Sequence, residues 1–309
     1  MNEKELKISE EDSGIRLDIF LAKKFSNYSR AYIQKLIKDE FVFVNGKKSE
    51  KKYALKIGDK VSVVLKEHEK ISLEPDAGVK FEVIFENKDF AVINKPDGLV
   101  VHPSESHKSG TLVNGILHRW PEIKNVGEDL LRPGIVHRLD KETSGVMVVA
   151  KTNEMFFWLK EQFKERKAIK KYTALVFGRL EQKEGEISEP IARLGTKQVA
   201  VGNGKRRGAV KKTREAKTYF KVKEYFDDAT LVEAFPKTGR MHQIRVHMAH
   251  IGHPIVGDKK YASKKMLQTL PFKRQFLHAS TLEFFLPDGK KSVFSADLPS
   301  DLKSLLNEL

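Results

Sequence analysis

Residues 135–150 run from a polar loop directly into an unbroken apolar segment, and this junction constrains the fold more than any other stretch. The polar half, His137-Arg138-Leu139-Asp140-Lys141-Glu142-Thr143-Ser144, closes on Gly145. The apolar half, Val146-Met147-Val148-Val149-Ala150, is short and branched, the pattern of a buried strand. A polar loop held against such a strand is a good place for a site, because the strand fixes its position. Asp140 sits between Arg138 and Lys141, near His137. Two readings are open: a loop salt bridge or Asx-turn, and a reactive carboxylate.

The 309 residues are enough for one large domain and a small one, and 40% apolar content can build their cores. The absence of cysteine excludes disulfides and cysteine-based catalysis or metal binding. The first 12 residues are charged, lack the apolar core of a signal peptide, and read as frayed. No run of about 18 apolar residues suggests a membrane span. Lys plus Arg number 57 against 42 Asp plus Glu, a surplus of 15 positive charges. That surplus favours a polyanionic partner, nucleic acid ahead of an anionic membrane; the other reading is charge that serves solubility.

A compact pattern begins at Ser13. Leu17, Phe20 and Leu21 share one helical face, and Ile33, Leu36 and Ile37 share another after a candidate N-cap at Ser29. Phe41-Val42-Phe43-Val44 reads as a strand ending in the turn Asn45-Gly46, and a second strand covers residues 61–65. Lys23, Lys24, Arg30, Lys35 and Lys38 make the helices basic, which suits phosphate contact or a solvated face. The pieces Arg16-Leu17-Asp18, Ser29-Arg30-Ala31-Tyr32-Ile33, Val44-Asn45-Gly46 and Gly58-Asp59-Lys60-Val61 resemble an S4-type RNA-binding domain over residues 13–66. Residues 67–78 then read as a polar linker with Pro75, and residues 79–309 as a second domain.

In that second domain, strands are expected at 81–86, 90–96 and 170–178, and helices at 111–120 and 153–167. Residues 181–190 read as a polar excursion. Residues 203–217 hold Lys205, Arg206, Arg207, Lys211, Lys212, Arg214 and Lys217 against one Glu215, so they read as a flexible basic loop that contacts a nucleic-acid backbone or is simply solvated. A hairpin is expected across Asp227-Asp228, a helix over 240–250 with Arg245 on its outer side, and strands near 282–286 and 292–296. His242, His247, His250 and His253 lie close together, but Gly252 and Pro254 break the helix and no His-Glu-x-x-His pattern is present, so no metal is expected. Phosphate-loop and kinase signatures are absent, and no pair of glycosidase-like carboxylates can be located from spacing.

His137-Arg138-Leu139-Asp140-Lys141-Glu142-Thr143-Ser144-Gly145 resembles the central motif of the RluA-type pseudouridine synthases. Lys95-Pro96-Asp97-Gly98, Lys171-Tyr172-Thr173-Ala174, Gly239-Arg240-Met241-His242-Gln243-Ile244-Arg245, Gly257-Asp258 and Leu277-His278-Ala279 agree, in the right order. With the S4-like unit in front, the arrangement is similar to RluD-like enzymes of large-subunit ribosomal RNA. The resemblance implies an α+β chain: a small S4-like α/β domain, then a catalytic domain with a largely antiparallel mixed sheet and a central cleft. It implies Asp140 as the catalytic carboxylate, Arg245 as its ionic partner, Tyr172 as the residue packing on the target base, Arg138 as the group filling the space the uridine leaves, and Leu277 as a cleft wall. Arg30, Lys35, Arg206, Arg207, Lys211 and Lys212 are the expected RNA contacts. The implied reaction detaches uracil from C1′, turns it and rejoins it through C5, with no cofactor. Attack by Asp140 on the sugar, attack on the base and abstraction of a 2′ proton all stay open. The expected partner is ribosomal RNA or the pre-ribosomal large subunit, in the cytoplasm, for a monomeric enzyme. The alternatives are a related branch modifying other large-subunit uridines and a non-catalytic rRNA-binding assembly protein.

Overall fold

The computed structural model describes residues 2–25, 30–65, 73–104, 107–202 and 212–309. The Ser29 cap and the expected contacts Arg206, Arg207 and Lys211 lie outside them. The chain divides into two compact units, residues 1–70 and 71–309. No helix among the described residues is long and apolar enough to cross a membrane.

The small unit packs two helices, α1 (Leu17–Lys24) and α2 (Arg30–Lys38), on a four-stranded sheet. Its strands are β1 (Asn2–Lys7), β2 (Val42–Val44), β3 (Lys47–Lys48) and β4 (Lys60–Leu65), in the order β1-β4-β2-β3. The anticipated helical stripes meet in its core, where Leu17, Phe20, Leu21, Ile33, Leu36 and Ile37 are all buried against Val42, Val61 and Val63. Asn45 and Gly46 both take positive φ, 52° and 72°, as the two-residue hairpin between β2 and β3 requires. Buried Asp18 accepts from Arg16 and from Gln34 at 2.6 Å, tying the two helices. The amino-terminal residues are not frayed: β1 pairs with β4 from Asn2–Leu65 to Lys7–Lys60. A polar strand whose partner lies some 58 residues on leaves no local signal.

The larger unit is built on a nine-stranded sheet. In chain order its strands are β5 (Glu82–Glu86), β6 (Phe90–Lys95), β7 (Ser144–Ala150), β8 (Ile169–Phe177), β9 (Glu184–Ile187), β13 (Thr218–Tyr225), β14 (Ala229–Pro236), β15 (Leu277–Phe285) and β16 (Lys291–Ser295). Across the sheet they run β5-β6-β7-β15-β8-β14-β13-β9, with β16 also paired to β15. The remaining strands, β10 (Ile191–Leu194), β11 (Lys197–Ala200) and β12 (Thr213–Arg214), form a separate three-stranded sheet. Helices α3 (Leu112–Arg119), α4 (Asn153–Lys164), α5 (Gln243–His250), α6 (Lys264–Thr269) and α7 (Ser300–Asn307) complete it. Glu74 and Asp76, in the stretch expected as linker, bond through their backbones to Asn114 of α3, so this end of it belongs with the larger unit. Residues 181–190 are not only an excursion: β9 joins the sheet edge against β13 and buries Ile187. Glu184-Gly185-Glu186 carries little strand propensity, so that pairing is set by tertiary contact.

Every residue of β7 is buried, which explains its unbroken apolar run. It pairs antiparallel with β6 and, at Ser144–His278 and Gly145–Ala279, parallel with β15. This parallel contact brings the loop before β7 and the start of β15 to the same place. Gly145 makes the approach possible: its φ is 118°, and a Cβ there would lie 2.2 Å from the Ala279 carbonyl oxygen. Gly145→Ala should therefore cost about 3 kcal/mol or more, from left-handed strain plus overpacking; urea denaturation with an unchanged midpoint would contradict this.

Candidate active site

Asp140 lies in the loop entering β7, and that loop is held at almost every residue. The Thr143 N–H donates to the Asp140 carbonyl at 3.1 Å, closing a turn. Lys95, the last residue of β6 and 0% exposed, donates to the carbonyls of Lys141 at 3.2 Å, Pro96 at 2.6 Å and Leu99 at 2.9 Å. Three carbonyls match the three protons of an ammonium. Burial still pulls this lysine down to about 7, against the opposing pull of Asp97 and Asp140. Arg274 donates to the Glu142 carbonyl at 3.3 Å while its other nitrogens grip Asp301 of α7 at 2.7 and 2.9 Å. The Gln275 amide donates to Thr143 Oγ1 at 2.6 Å, and Ser144 Oγ sits 2.9 Å from His278 Nδ1. On the other side of Asp140, His137 stacks on Phe163 and accepts from the Val148 N–H at 3.0 Å.

The opposite wall is α5 and the turn before it. Gln243 organises that turn: its oxygen accepts from Thr238 Oγ1 and the Arg240 N–H, and its nitrogen donates to the Lys217 carbonyl and Thr218 Oγ1. Arg245 follows two residues later. It is 7% exposed and points inward, not outward as the helical pattern suggested. Its Nε and Nη2 donate to the two oxygens of Asp258 at 2.7 and 2.9 Å, and its Nη1 donates to Asp140 Oδ2 at 2.9 Å. Burial acts to lower the guanidinium's proton affinity, and the Asp258 and Asp140 carboxylates more than reverse that. Asp258 is 1% exposed, whereas the side chain of Asp140 keeps 20% of its surface open.

Between these walls lies a cleft of about 690 Å³. Asp140, Arg138, Tyr172, Arg245 and Leu277 all line it. Tyr172 comes from β8 and is buried; burial, with the Asp140 charge adding to it, pushes its hydroxyl up, so it stays protonated at neutral pH. Leu277 opens β15 and is buried. Arg138 is exposed, with Nη1 3.5 Å from His102 Nε2. His102 is pulled down to about 4, by burial first and by Arg132 and Arg138 second, so it is neutral and able to accept. Cations edge the cleft: Lys160, Lys164, Arg166 and Lys170 on one wall, Lys237 and Arg240 on the other. Lys35 is exposed on α2 of the small unit, and Lys212 is exposed before β12. For Arg30 only the backbone, at the start of α2, is described.

Sequence reasoning missed Lys95, Asp258 and Arg274 as parts of this site. Lys95 lay within the matched motif Lys95-Pro96-Asp97-Gly98 with no role attached, and as the cation closing the apolar run 90–93 it carried a signal. Asp258 lay within a matched motif with no role attached, and Arg274 had no local sign at all. Three of the four clustered histidines bond to separate partners. His247 contacts Thr218 and the Glu189 carbonyl, His253 the Phe177 carbonyl, and His242 the Tyr261 hydroxyl.

The sequence model of the family described as RNA pseudouridylate synthase matches residues 89–250, and that of the S4 domain matches residues 15–61. The chain is 39% identical to the uncharacterized RNA pseudouridine synthase YlyB of Bacillus subtilis, across 100% of this chain and 99% of the relative. It is 38% identical to the ribosomal large subunit pseudouridine synthase D of Escherichia coli strain K12, across 97% and 92% of the two chains. Among solved structures it is similar to human RNA pseudouridylate synthase domain containing 4, with a TM-score of 0.56 and 28% identity over 73% of this chain and 92% of that one.

The ion geometry separates the two carboxylates. Asp258→Asn removes the charge that compensates a buried guanidinium on two of its donors, and should cost about 3 kcal/mol of stability. Asp140→Asn leaves Arg245 bidentately paired, and should cost about 1 kcal/mol or less. Paired denaturation curves check the order; equal losses would mean that Asp140 carries the structural share.

Proposed function

Because this chain belongs to the RluA-type RNA pseudouridine synthases and carries an S4 domain ahead of its synthase domain, we propose that it isomerises particular uridines of large-subunit ribosomal RNA, as an RluD-like enzyme. The observation that carries this reading is a single accessible carboxylate, Asp140, tied by one oxygen to Arg245 at the floor of a cleft edged with cations. The likeness to the Escherichia coli large-subunit enzyme over 97% of the chain supports the choice of RNA. The substrate on this reading is the ribosomal RNA of a large subunit under assembly, met in the cytoplasm by a monomeric enzyme.

The chemistry asks for few groups. The bond between C1′ and N1 breaks, the uracil turns within the cleft, a bond between C1′ and C5 forms, and the proton lost from C5 is balanced by one taken up at N1. No electrons are exchanged with another molecule. Asp140 supplies the carboxylate, acting as nucleophile or base. Tyr172 packs on the base, holding the detached uracil while it turns. Leu277 closes the apolar wall. A uridine reaches Asp140 only after leaving its stack, at a cost of a few kcal/mol, and Arg138 fills the space it vacates. The exposed Lys23, Lys24, Lys35 and Lys38 of the small unit, together with Lys212 and the basic stretch around Arg206, Arg207 and Lys211, meet the phosphate backbone.

Tritium release from C5-labelled ribosomal RNA tests the reaction, and mapping pseudouridines in cells with and without the gene tests the target. Asp140→Asn should abolish release while RNA affinity holds or rises slightly, because a negative charge leaves a polyanion-binding cleft. Release at the wild-type rate by a folded Asp140→Asn protein would end the assignment. Tyr172→Ala should fall below Tyr172→Phe by roughly 5- to 150-fold in single-turnover rate, since base stacking is worth about 1–3 kcal/mol. Equal rates would remove stacking from its role. Changing Lys23, Lys24, Lys35 and Lys38 to Gln should flatten the plot of log affinity against log salt by about 0.7 to 0.9 for each phosphate that is no longer neutralised. An unaltered slope would take the small unit out of the interface.

A further inference from the structure

Two residues lining the cleft, Arg166 and His242, have a left-handed backbone, His242 with φ 56° and ψ 22°. Three other non-glycine residues with positive φ are described, and each has a local reason. Glu40 and Arg166 follow helix ends, and Asn45 sits in a hairpin turn. His242 instead stands at the start of α5, where most helices use an extended residue. A left-handed histidine costs free energy, and such strain collects where a side chain must be aimed.

What it is aimed at is Asp140. His242 Nε2 lies 3.9 Å from Asp140 Oδ2, and its Nδ1 lies 2.7 Å from the Tyr261 hydroxyl. Hydrogen-bond logic sets the tautomer. Tyr261 Oη accepts from the Gln198 N–H at 3.3 Å and has its own proton available to donate to Nδ1, the direction that also lets Nε2–H face the carboxylate. Burial pushes Tyr261 up to about 12, so that proton stays on the oxygen, and burial lowers His242 below its usual range, so the ring is neutral. A neutral ring accepting at Nδ1 carries its hydrogen on Nε2, facing the carboxylate. The reverse tautomer would turn a lone pair toward a negative oxygen. Tyr261 also lies under the Arg245 guanidinium, 5.2 Å from ring centroid to Cζ, so one aromatic ring backs both groups that flank Asp140. Arg245 bonds Oδ2, and Oδ2 is also the oxygen His242 approaches. Oδ1 of Asp140 has no hydrogen-bond partner among the described residues.

We propose that His242, oriented by Tyr261, is a positioning residue: its Nε2–H and Arg245 together hold Oδ2 of Asp140, leaving Oδ1 as the oxygen that reacts. The inference rests on the synthase reading above, for which Asp140 is the reacting group. On this proposal the 3.9 Å separation shortens to a hydrogen bond in the RNA complex.

The test uses the full chain with three replacements at His242 and one at Tyr261. Glutamine places a donor where Nε2 stood and still reaches Asp140. Asparagine tolerates the left-handed backbone better but stops at the position of Nδ1. Positioning therefore predicts that His242→Gln retains more single-turnover activity than His242→Asn, and that His242→Gly loses about tenfold or more. RNA affinity should stay within about twofold in all three. The melting temperature of His242→Gly should stay close to wild type, because glycine adopts this φ freely. A purely structural residue predicts the opposite order, Asn above Gln, with rates following melting temperatures. Nitrogen-15 spectra of the histidines, taken without RNA, should show His242 protonated on Nε2 in the wild type and a mixture of tautomers in Tyr261→Phe. A wild-type rate for His242→Gly, or a hydrogen found on Nδ1, overturns the proposal. If the wild type makes no pseudouridine, the functional reading fails, while the tautomer still decides whether His242 is aimed as described.

Discussion

The site depends on a guanidinium shared unequally between two carboxylates. Arg245 gives two of its donors to Asp258 and one to Asp140. A buried arginine with one carboxylate would be spent on structure; with a second it becomes a bridge between framework and cleft. Asp258 is 1% exposed and the Asp140 side chain 20% exposed, so the inner pair carries the desolvation and the outer carboxylate stays accessible from the cleft. The two roles are separated by burial and by the number of donors, although the residues are of one type.

That division works only if Asp140 cannot drift. Its loop has little regular structure, yet its backbone is pinned from two directions. Lys95 reaches it from β6, and Arg274 reaches it from the residues before β15, itself anchored on Asp301 of α7. Both are buried donors bonding to carbonyls, so the loop is held through its backbone as well as by the Thr143 and Ser144 side chains, while the Asp140 side chain stays open to the cleft. The parallel contact at Gly145 sets the same loop against β15. The carboxy-terminal helix, remote in sequence, therefore takes part in placing Asp140.

What was legible in the sequence follows from how local each signal was. The buried strand β7, the hairpin of β13 and β14, and α4 with its Phe156–Leu159 face all announce themselves within a few residues. The two helices of the small unit do the same. β1 and β9 did not, because both are polar and short of strand formers and are defined by partners far along the chain. At the site, Asp140, Arg138, Tyr172, Arg245 and Leu277 were reached through motif resemblance, and the structure brings all five to one cleft. Periodicity alone put Arg245 on the wrong side of its helix, because an arginine in an amphipathic pattern reads as solvent-facing unless its buried partners are known. Asp258 and Arg274 owe their importance to what they touch, and no spacing rule encodes that.

The charge balance of the cleft follows from the same geometry. Asp140, Arg245 and Asp258 together carry one net negative charge, two carboxylates against one guanidinium. A polyanion brought to that triad meets repulsion at Asp140, the proposed reacting group. The cleft offsets it with cations at its margin, from Lys160, Lys164 and Lys170 on one wall to Lys237 and Arg240 on the other, drawn from the chain's surplus of 15. On the proposed reading, backbone phosphates meet these margins, while the nucleobase, which is neutral, is the part that descends to Asp140. Extruding the base thus separates the charge-bearing part of the nucleotide from the carboxylate. A duplex held rigidly against the surface would bring phosphate and Asp140 no closer to compatibility, so the cost of unstacking is repaid partly in electrostatics.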